Sequence, residues 1–184
     1  SGTIGGRLRA GIETLLSRVR TGRIRPIAAP FRFTDERGRA VLIRPYREDD
    51  FDALAEMYDD FDQSLSAQGV PPIGSGAVRE WIEDLLAGVN AVAIVDDRPV
   101  GHVSFVPDGT GRHELAIFVH QDYQQAGIGS QLLAVGMGHA KQEGVEYLWL
   151  SVERSKRHLM RLYSRAGFSA VNPLGINHRM SRYL

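Results

Sequence analysis

The stretch Gln124-Gln125-Ala126-Gly127-Ile128-Gly129 lies between an apolar run, 115–119, and a helical pattern, 128–140. A strand that turns through two glycines into a helix leaves backbone N–H groups unpaired at the helix start. These groups and the helix dipole bind phosphate oxygens. Because glycine has no Cβ, a ligand can approach the backbone of Gly127 and Gly129 closely. The stretch therefore predicts a site for a phosphorylated cofactor; the alternative is a tight turn without a ligand.

Two common nucleotide-binding motifs do not fit this turn. The dinucleotide fingerprint needs a third glycine where the chain has Leu132. The Walker loop needs Gly-Lys followed by Ser or Thr, whereas Ser130 and Gln131 follow Gly129. Serine hydrolases are also disfavoured, because no Gly-x-Ser-x-Gly motif is present.

The composition indicates one ordinary globular domain of 184 residues, with 43% hydrophobic and 24% charged residues. Basic and acidic residues balance at 22 each, which gives no support to a nucleic-acid-binding protein. The absence of cysteine excludes disulfides, thiolate nucleophiles and cysteine metal sites, and the 6 histidines lack metal-site spacing. With no bilayer-length apolar run and no signal peptide pattern, we expect a cytoplasmic protein without a membrane span.

Residues 1–30 differ from the rest of the chain, because they are rich in arginine and carry apolar residues at helical spacing between Ile4 and Val19. We expect an amphipathic basic N-terminal helical extension, followed by the main domain at 31–184. The helix would pack on that domain or on a second subunit, which makes a homodimer a possibility. The alternative is a helix on a membrane surface or a nucleic acid.

The order of periodic segments predicts an α+β fold with a mixed sheet: one β unit, two helices, a β meander, then βαβαβ. The expected strands are 31–33, 40–44, 91–95, 99–106, 114–119, 147–152, 168–171 and 176–183. The expected helices are 51–65, 78–85, 128–140 and 157–166.

Two motifs give the chain a family resemblance. The segment 114–129, Glu-Leu-Ala-Ile-Phe-Val-His-Gln-Asp-Tyr-Gln-Gln-Ala-Gly-Ile-Gly, resembles motif A of the GNAT acyltransferase superfamily. The segment 159–168 resembles motif B, which ends in Leu-Tyr-x-x-x-Gly-Phe, and Ile43-Arg44-Pro45 before Asp49 and Asp50 is similar to the first strand and helix of the family. The likeness covers 40–184. It implies a GNAT-like central sheet with flanking helices, and an N-acetyltransferase that moves an acetyl group from acetyl-CoA to a primary amine.

The resemblance also implies the residues that would bind the cofactor: Phe118, Val119, Gln124, Gln125, Ala126, Gly127, Ile128, Gly129, Ser130 and Lys156. The chain departs from the family at three places. Lys156 stands where the family often has Asn, Leu159 where it often has Ala, and Gln121 where it has Pro. Lys156 would then meet a phosphate of the cofactor. The departures also leave open a sensor or scaffold that binds acetyl-CoA without catalysis.

By the same resemblance, Tyr163 is the general acid that protonates the leaving thiolate, and Glu114 assists deprotonation of the amine. A backbone N–H of Phe118 or Val119 would donate to the thioester carbonyl. The alternatives are a core tyrosine and a solvated charge at a strand end. His113 and His120 are further candidates for the base.

The amine acceptor is expected between the first two helices, where Tyr58, Asp59 and Asp62 would bind it. An acidic patch attracts a cationic amine. The alternative is a solvated helix end. Small amines, peptide N-termini and protein lysines all remain open as acceptors.

Overall fold

A computed structural model describes residues 22–65, 70–172 and 176–184. Its centre is one sheet of eight strands in the order β1-β2-β3-β4-β5-β6-β8-β7. Neighbouring strands are antiparallel except β5 and β6, which are parallel. The strands are β1 (Phe31–Thr34), β2 (Ala40–Pro45), β3 (Val89–Val95), β4 (Arg98–Pro107), β5 (His113–Val119), β6 (Tyr147–Glu153), β7 (Ser169–Asn172) and β8 (Asn177–Tyr183).

Among the described residues, four helices cover the two faces of this sheet: α1 (Phe51–Asp59), α2 (Ser75–Leu85), α3 (Ile128–Gln142) and α4 (Arg157–Arg165). The main core lies on the α3 and α4 face, and a second cluster lies under α1 and α2. Successive side chains of β5 point to opposite faces of the sheet, so that Leu115 packs in the main core whereas Phe118 packs against the second cluster. The predicted mixed α+β sheet and the order of its elements are confirmed.

The first helix ends earlier than its apolar spacing predicts. It stops at Asp59, and only a short 3₁₀ turn follows at Gln63–Leu65. The acidic residues at 59, 60 and 62 lie near the C-terminal end of the helix, where the negative end of the helix dipole makes their charge unfavourable. Asp62 also accepts hydrogen bonds from the backbone N–H and the hydroxyl of Ser64, at 2.9 and 2.7 Å. This local turn competes with continuation of the helix.

The described part of the N-terminal segment, 22–30, contains no helix and packs across the main domain. The N–H of Ile24 donates to the carbonyl of Arg165, and that of Ile27 donates to the carbonyl of Ala134 on α3. A Cβ on Gly138 would collide with the carbonyl of Ile27, so this glycine permits the close approach. The predicted basic helix lies in residues outside the described ones and stays a prediction.

Within the described residues, no helix combines the length and apolar character that crossing a membrane requires. The cytoplasmic location expected from the sequence stays a prediction.

Candidate active site

A gap opens in the sheet between the two parallel strands. β5 and β6 pair only at His113 with Leu148 and at Glu114 with Trp149. β5 nevertheless continues to Val119, and β6 continues to Glu153. The far halves of the two strands therefore part, which leaves backbone groups of β5 without a strand partner on that side.

The register of β4 and β5 shows which backbone groups face this gap. The N–H of His120 donates to the carbonyl of Val100, its position opposite on β4. Because hydrogen-bonded pairs alternate along antiparallel strands, Phe118 also bonds to β4, while Val119 turns its N–H and carbonyl away from β4. The side chain of Gln124 confirms this direction, since its amide donates to the Val119 carbonyl at 2.9 Å. Of the two expected donors, Val119 is therefore the one that faces the gap.

The glycine turn follows directly and exposes the start of α3. Gly127 has φ 88° and ψ 0°, a left-handed conformation that suits glycine, and no side chain of the described residues caps the helix. The first hydrogen bond within the helix runs from the N–H of Gln131 to the carbonyl of Gly127. The N–H groups of Ile128, Gly129 and Ser130 have no acceptor among the described residues.

The β1–β2 turn holds the glycine turn in place. The N–H of Glu36 donates to the carbonyl of Ala126, and the guanidinium of Arg39 lies 4.4 Å from the centre of the Tyr123 ring. The two glycines face different neighbours. A Cβ on Gly127 would lie 3.8 Å from the Glu36 carboxyl carbon, whereas a Cβ on Gly129 would lie 3.8 Å from Val119 Cγ2. Gly129 is thus the glycine that faces the end of β5 and the gap.

Tyr163 on α4 is 8% exposed and packs in the main core against Phe168. Burial raises the pKa of Tyr163 to about 12, so the hydroxyl stays protonated at neutral pH. That hydroxyl forms no hydrogen bond within 22–65, 70–172 and 176–184. A protonated donor without a protein acceptor suits the expected acid.

Glu114 lies at the closed end of the gap, beside Trp149 of β6. The residue is exposed overall, but burial of its carboxyl group raises its pKa; Asp108 adds to this rise, and Arg179 opposes it. Strand geometry puts Glu114 about 13 Å from Phe118. Direct contact with a thioester near Val119 is therefore excluded for this conformation.

Lys156 immediately precedes α4, and its carbonyl accepts from the N–H groups of Leu159 and Met160. Its side chain is partly exposed at the end of β6, on the open side of the gap. Gln125 is exposed and has a positive φ of 57° within the glycine turn, while Ala126 is buried.

The expected acceptor residues behave differently from one another. Asp59 and Asp62 are exposed, but Tyr58 is 2% exposed and its hydroxyl lies 2.7 Å from Nδ1 of His102. We call the segment that carries Asp59, Asp60 and Asp62 the acidic loop. Gln121 links this loop to the end of β5, because its side-chain amide donates to the Asp60 carbonyl and its side-chain oxygen accepts from the Asp62 N–H. The structure thus brings the acidic loop next to the strand gap, with the Tyr58 hydroxyl turned inward.

A buried polar chain behind Tyr58 was missed by the sequence reasoning. His102 is 0% exposed, and its Nε2 lies 2.7 Å from Oδ1 of Asn90. The Asn90 amide donates to the carbonyls of Leu85 and Gly88, which leaves its oxygen as the acceptor. His102 therefore carries its proton on Nε2, and Tyr58 donates to Nδ1. Burial lowers the pKa of His102 to about 3, so the ring is neutral. The available signal was a histidine inside the apolar run of β4.

His120 lies at the end of β5, but its ring nitrogens are both engaged. Nε2 lies 2.8 Å from Oδ2 of Asp60, and Nδ1 accepts from the N–H of Asp122 at 3.2 Å. This pattern favours a structural role at the turn over that of a base. Among the described residues, no three His, Asp or Glu side chains form a group that could hold a metal ion.

The sequence model of the acetyltransferase (GNAT) family matches residues 51–168. One curated relative, a mycothiol acetyltransferase of Propionibacterium freudenreichii subsp. shermanii, is 38% identical over 66 residues. This match covers 35% of the chain and 21% of the relative, so the chain spans about a fifth of the length of that relative.

Solved structures share the fold at low sequence identity. The GNAT domain of S. lividans PAT has a TM-score of 0.71 and 18% identity, covering 84% of this chain and 97% of that one. Ribosomal-protein-alanine N-acetyltransferase from Brucella melitensis has a TM-score of 0.64 and 23% identity, covering 78% and 99%. The Salmonella typhimurium protein yncA, solved with its cofactor acetyl-CoA, has a TM-score of 0.64 and 20% identity, covering 78% and 94%. The expected GNAT-like fold is confirmed.

Proposed function

Because the chain belongs to the acetyltransferase (GNAT) family, we propose that it transfers an acetyl group from acetyl-CoA directly to a primary amine. The observation that carries this proposal is the placement of an uncapped helix start beside a gap between parallel strands. The free N–H groups at the helix start suit a diphosphate. The gap between the strands suits an extended thioester arm, whose amides would take the place of the missing strand partner.

The residues at the turn fit such a cosubstrate. The N–H groups of Ile128, Gly129 and Ser130 would donate to the diphosphate, and Gly129 leaves room for its approach. Gln125 would contribute a backbone N–H from the same turn, and Lys156 a positive charge from the other side of the gap. When bound, acetyl-CoA supplies an acetyl thioester as the group donor.

Val119 would stabilise the charge that develops on the thioester oxygen, through the N–H that it turns toward the gap. The side chain of Phe118 lies on the opposite face of β5, where it meets Tyr58 and Trp81. It would line the acceptor side of the gap while its own N–H remains in the sheet.

Tyr163 would protonate the departing thiolate as the C–S bond breaks, and the resulting phenolate would take a proton back from solvent. The hydroxyl is protonated at neutral pH, but its pKa of about 12 makes it a weaker acid than an exposed tyrosine. Its hydroxyl has no acceptor among the described side chains or carbonyls, so the donor is available to a ligand.

The attacking amine must be neutral, and a free alkylamine with a pKa near ~10.4 needs about 4–5 kcal/mol to lose its proton at neutral pH. Glu114 would accept this proton through water, because about 13 Å of strand separates it from Phe118. The raised pKa of Glu114 reduces the difference between its pKa and that of the amine. Asp59 and Asp62, both exposed, would attract the cationic form of the amine to the site.

The acceptor class is tested by a panel of amines in which free CoA is measured. The names of the similar proteins differ, since one refers to mycothiol and another to ribosomal-protein alanine. The panel therefore contains small amines, polyamines, peptide N-termini and lysine peptides. We expect amine-dependent CoA release with at least one class. If no class increases CoA release above the rate without amine, the proposed transferase function is wrong.

A further inference from the structure

A cavity of about 700 Å³ lies away from the glycine turn, between the segment 22–30, the end of α4 and strands β7 and β8. Four arginines and three serines are among its lining residues, and none of the described residues that line it is acidic. We call it the arginine cavity; the members used below are Arg23, Arg25, Arg165, Arg182, Ser164 and Ser181.

This cavity is distinct from the candidate active site. Arg182 contacts the Ala166 carbonyl just beyond α4 and lies 3.9 Å from Sδ of Met137. Met137 follows Gly129 by eight residues, which is about 12 Å along α3. Tyr163 packs in the main core, whereas its neighbours Ser164 and Arg165 line the cavity.

The cavity brings four guanidinium groups together. Arg23, Arg25 and Arg182 form no salt bridge with any acidic side chain in the part of the chain that the structure describes. Arg182 donates instead to two main-chain carbonyls, those of Ala166 and Tyr183, which fix the plane of its guanidinium. Burial lowers the pKa of both Arg165 and Arg182, which shows that desolvation acts against their charge. An anion in the cavity would offset this cost.

We propose that the arginine cavity binds a small ligand that carries two or more phosphate groups. Guanidinium groups match phosphate oxygens with paired N–H donors, and the serine hydroxyls add further donors. A single phosphate could contact fewer of the four guanidinium groups than a ligand with two phosphates could. The volume is that of a small-molecule site, which disfavours an extended nucleic acid as the occupant.

Titration calorimetry with inorganic pyrophosphate tests the proposal. Arg23 and Arg25 are exposed, so the double variant Arg23→Gln/Arg25→Gln should fold like the wild type. A matched control, Arg98→Gln/Arg112→Gln, removes the same charge from exposed positions elsewhere. We expect the cavity variant to bind pyrophosphate at least about tenfold more weakly than the wild type, and the control to bind within about twofold. Inorganic phosphate should bind more weakly than pyrophosphate.

Three results would overturn the proposal: no heat from the wild type at millimolar pyrophosphate, equal affinity of the cavity variant and the wild type, or equal affinity for phosphate and pyrophosphate. A second readout separates this site from the glycine turn. Gly129→Ala should bind pyrophosphate at the arginine cavity as tightly as the wild type does. The cavity variant, in turn, should keep the acetyl-CoA affinity of the wild type. Loss of both affinities in the cavity variant would contradict two separate sites.

Discussion

The hydroxyl of Tyr58 donates to Nδ1 of His102 across 2.7 Å, and this bond ties α1 to the centre of the sheet. The Tyr58 ring also meets Phe118 edge-on, with ring centres 5.6 Å apart. The wall beside the strand gap thus rests on a buried hydrogen bond whose direction Asn90 fixes from the other side. Both the stability of the protein and the position of the Tyr58 and Phe118 side chains beside the strand gap should therefore depend on neutral His102.

The first prediction concerns pH. His102 ordinarily has a pKa of 6.5, which folding lowers to about 3. Between these values the unfolded state binds more protons, so this histidine's contribution to stability is complete above pH 6.5 and is lost as pH falls toward 3. The slope of the free energy of unfolding against pH that His102 contributes should approach about 1.4 kcal/mol per pH unit. Urea unfolding between pH 6.5 and 5, above the range of most carboxyl groups, measures it.

His102→Gln provides the control for that titration. The variant cannot take up a proton at this position, so its free energy of unfolding should depend less on pH than that of the wild type by the same slope. Parallel pH profiles for the two proteins would mean that His102 is not held neutral by the fold.

The second prediction concerns Tyr163→Phe. Removal of the hydroxyl should lower kcat by roughly 10²–10⁴-fold, because the thiolate loses its acid, and should leave the affinity for acetyl-CoA unchanged. Calorimetry and CoA release measure the two quantities. Tyr183→Phe, at an exposed tyrosine, should keep full activity. A binding sensor would instead show acetyl-CoA affinity but no amine-dependent CoA release in either the wild type or the variant.

The third prediction separates the two glycines of the turn. A Cβ on Gly129 would contact only Val119 Cγ2, at 3.8 Å, so Gly129→Ala should fold with unchanged or slightly higher stability. The methyl group would occupy the approach to the diphosphate, and acetyl-CoA should bind about tenfold or more weakly. Gly127→Ala should lower the free energy of unfolding by about 1–2 kcal/mol, because φ is 88° there. Unchanged acetyl-CoA affinity in a folded Gly129→Ala variant would place the diphosphate elsewhere.

The fourth prediction tests the packing of residues 22–30. A Cβ on Gly138 would collide with the Ile27 carbonyl oxygen, so Gly138→Ala should cost about 1–3 kcal/mol of stability. Gly76→Ala is the matched control, since nothing lies within 4 Å of its Cβ position on α2. It should stabilise the protein by up to about 1 kcal/mol. Equal denaturation midpoints for the two variants would show that the segment does not lie against α3.

The sequence predicted the elements well where one periodicity dominates. The glycine turn marks the start of α3 at Ile128 as expected, because only glycine readily takes the left-handed conformation at position 127. The first helix was predicted too long, since apolar spacing continues past Asp59 while Asp62 and Ser64 form a local turn.

The site was less predictable, because its polar network joins residues that are far apart in the chain. His102 meets Tyr58 and Asn90 only after β3, β4 and α1 have packed together. Spacing placed Tyr58 near the acceptor region but could not show that its hydroxyl turns inward. The roles of Tyr163, Glu114 and Lys156 stay predictions, as does the acceptor contact at Asp59 and Asp62.

Calorimetric titration of acetyl-CoA into the folded wild-type chain tests the central claim most directly, with Gly129→Ala measured beside it. We predict saturable binding of one acetyl-CoA per chain, weakened about tenfold or more in the variant. Absence of binding heat from a folded wild type at millimolar acetyl-CoA would contradict a diphosphate site at the start of α3.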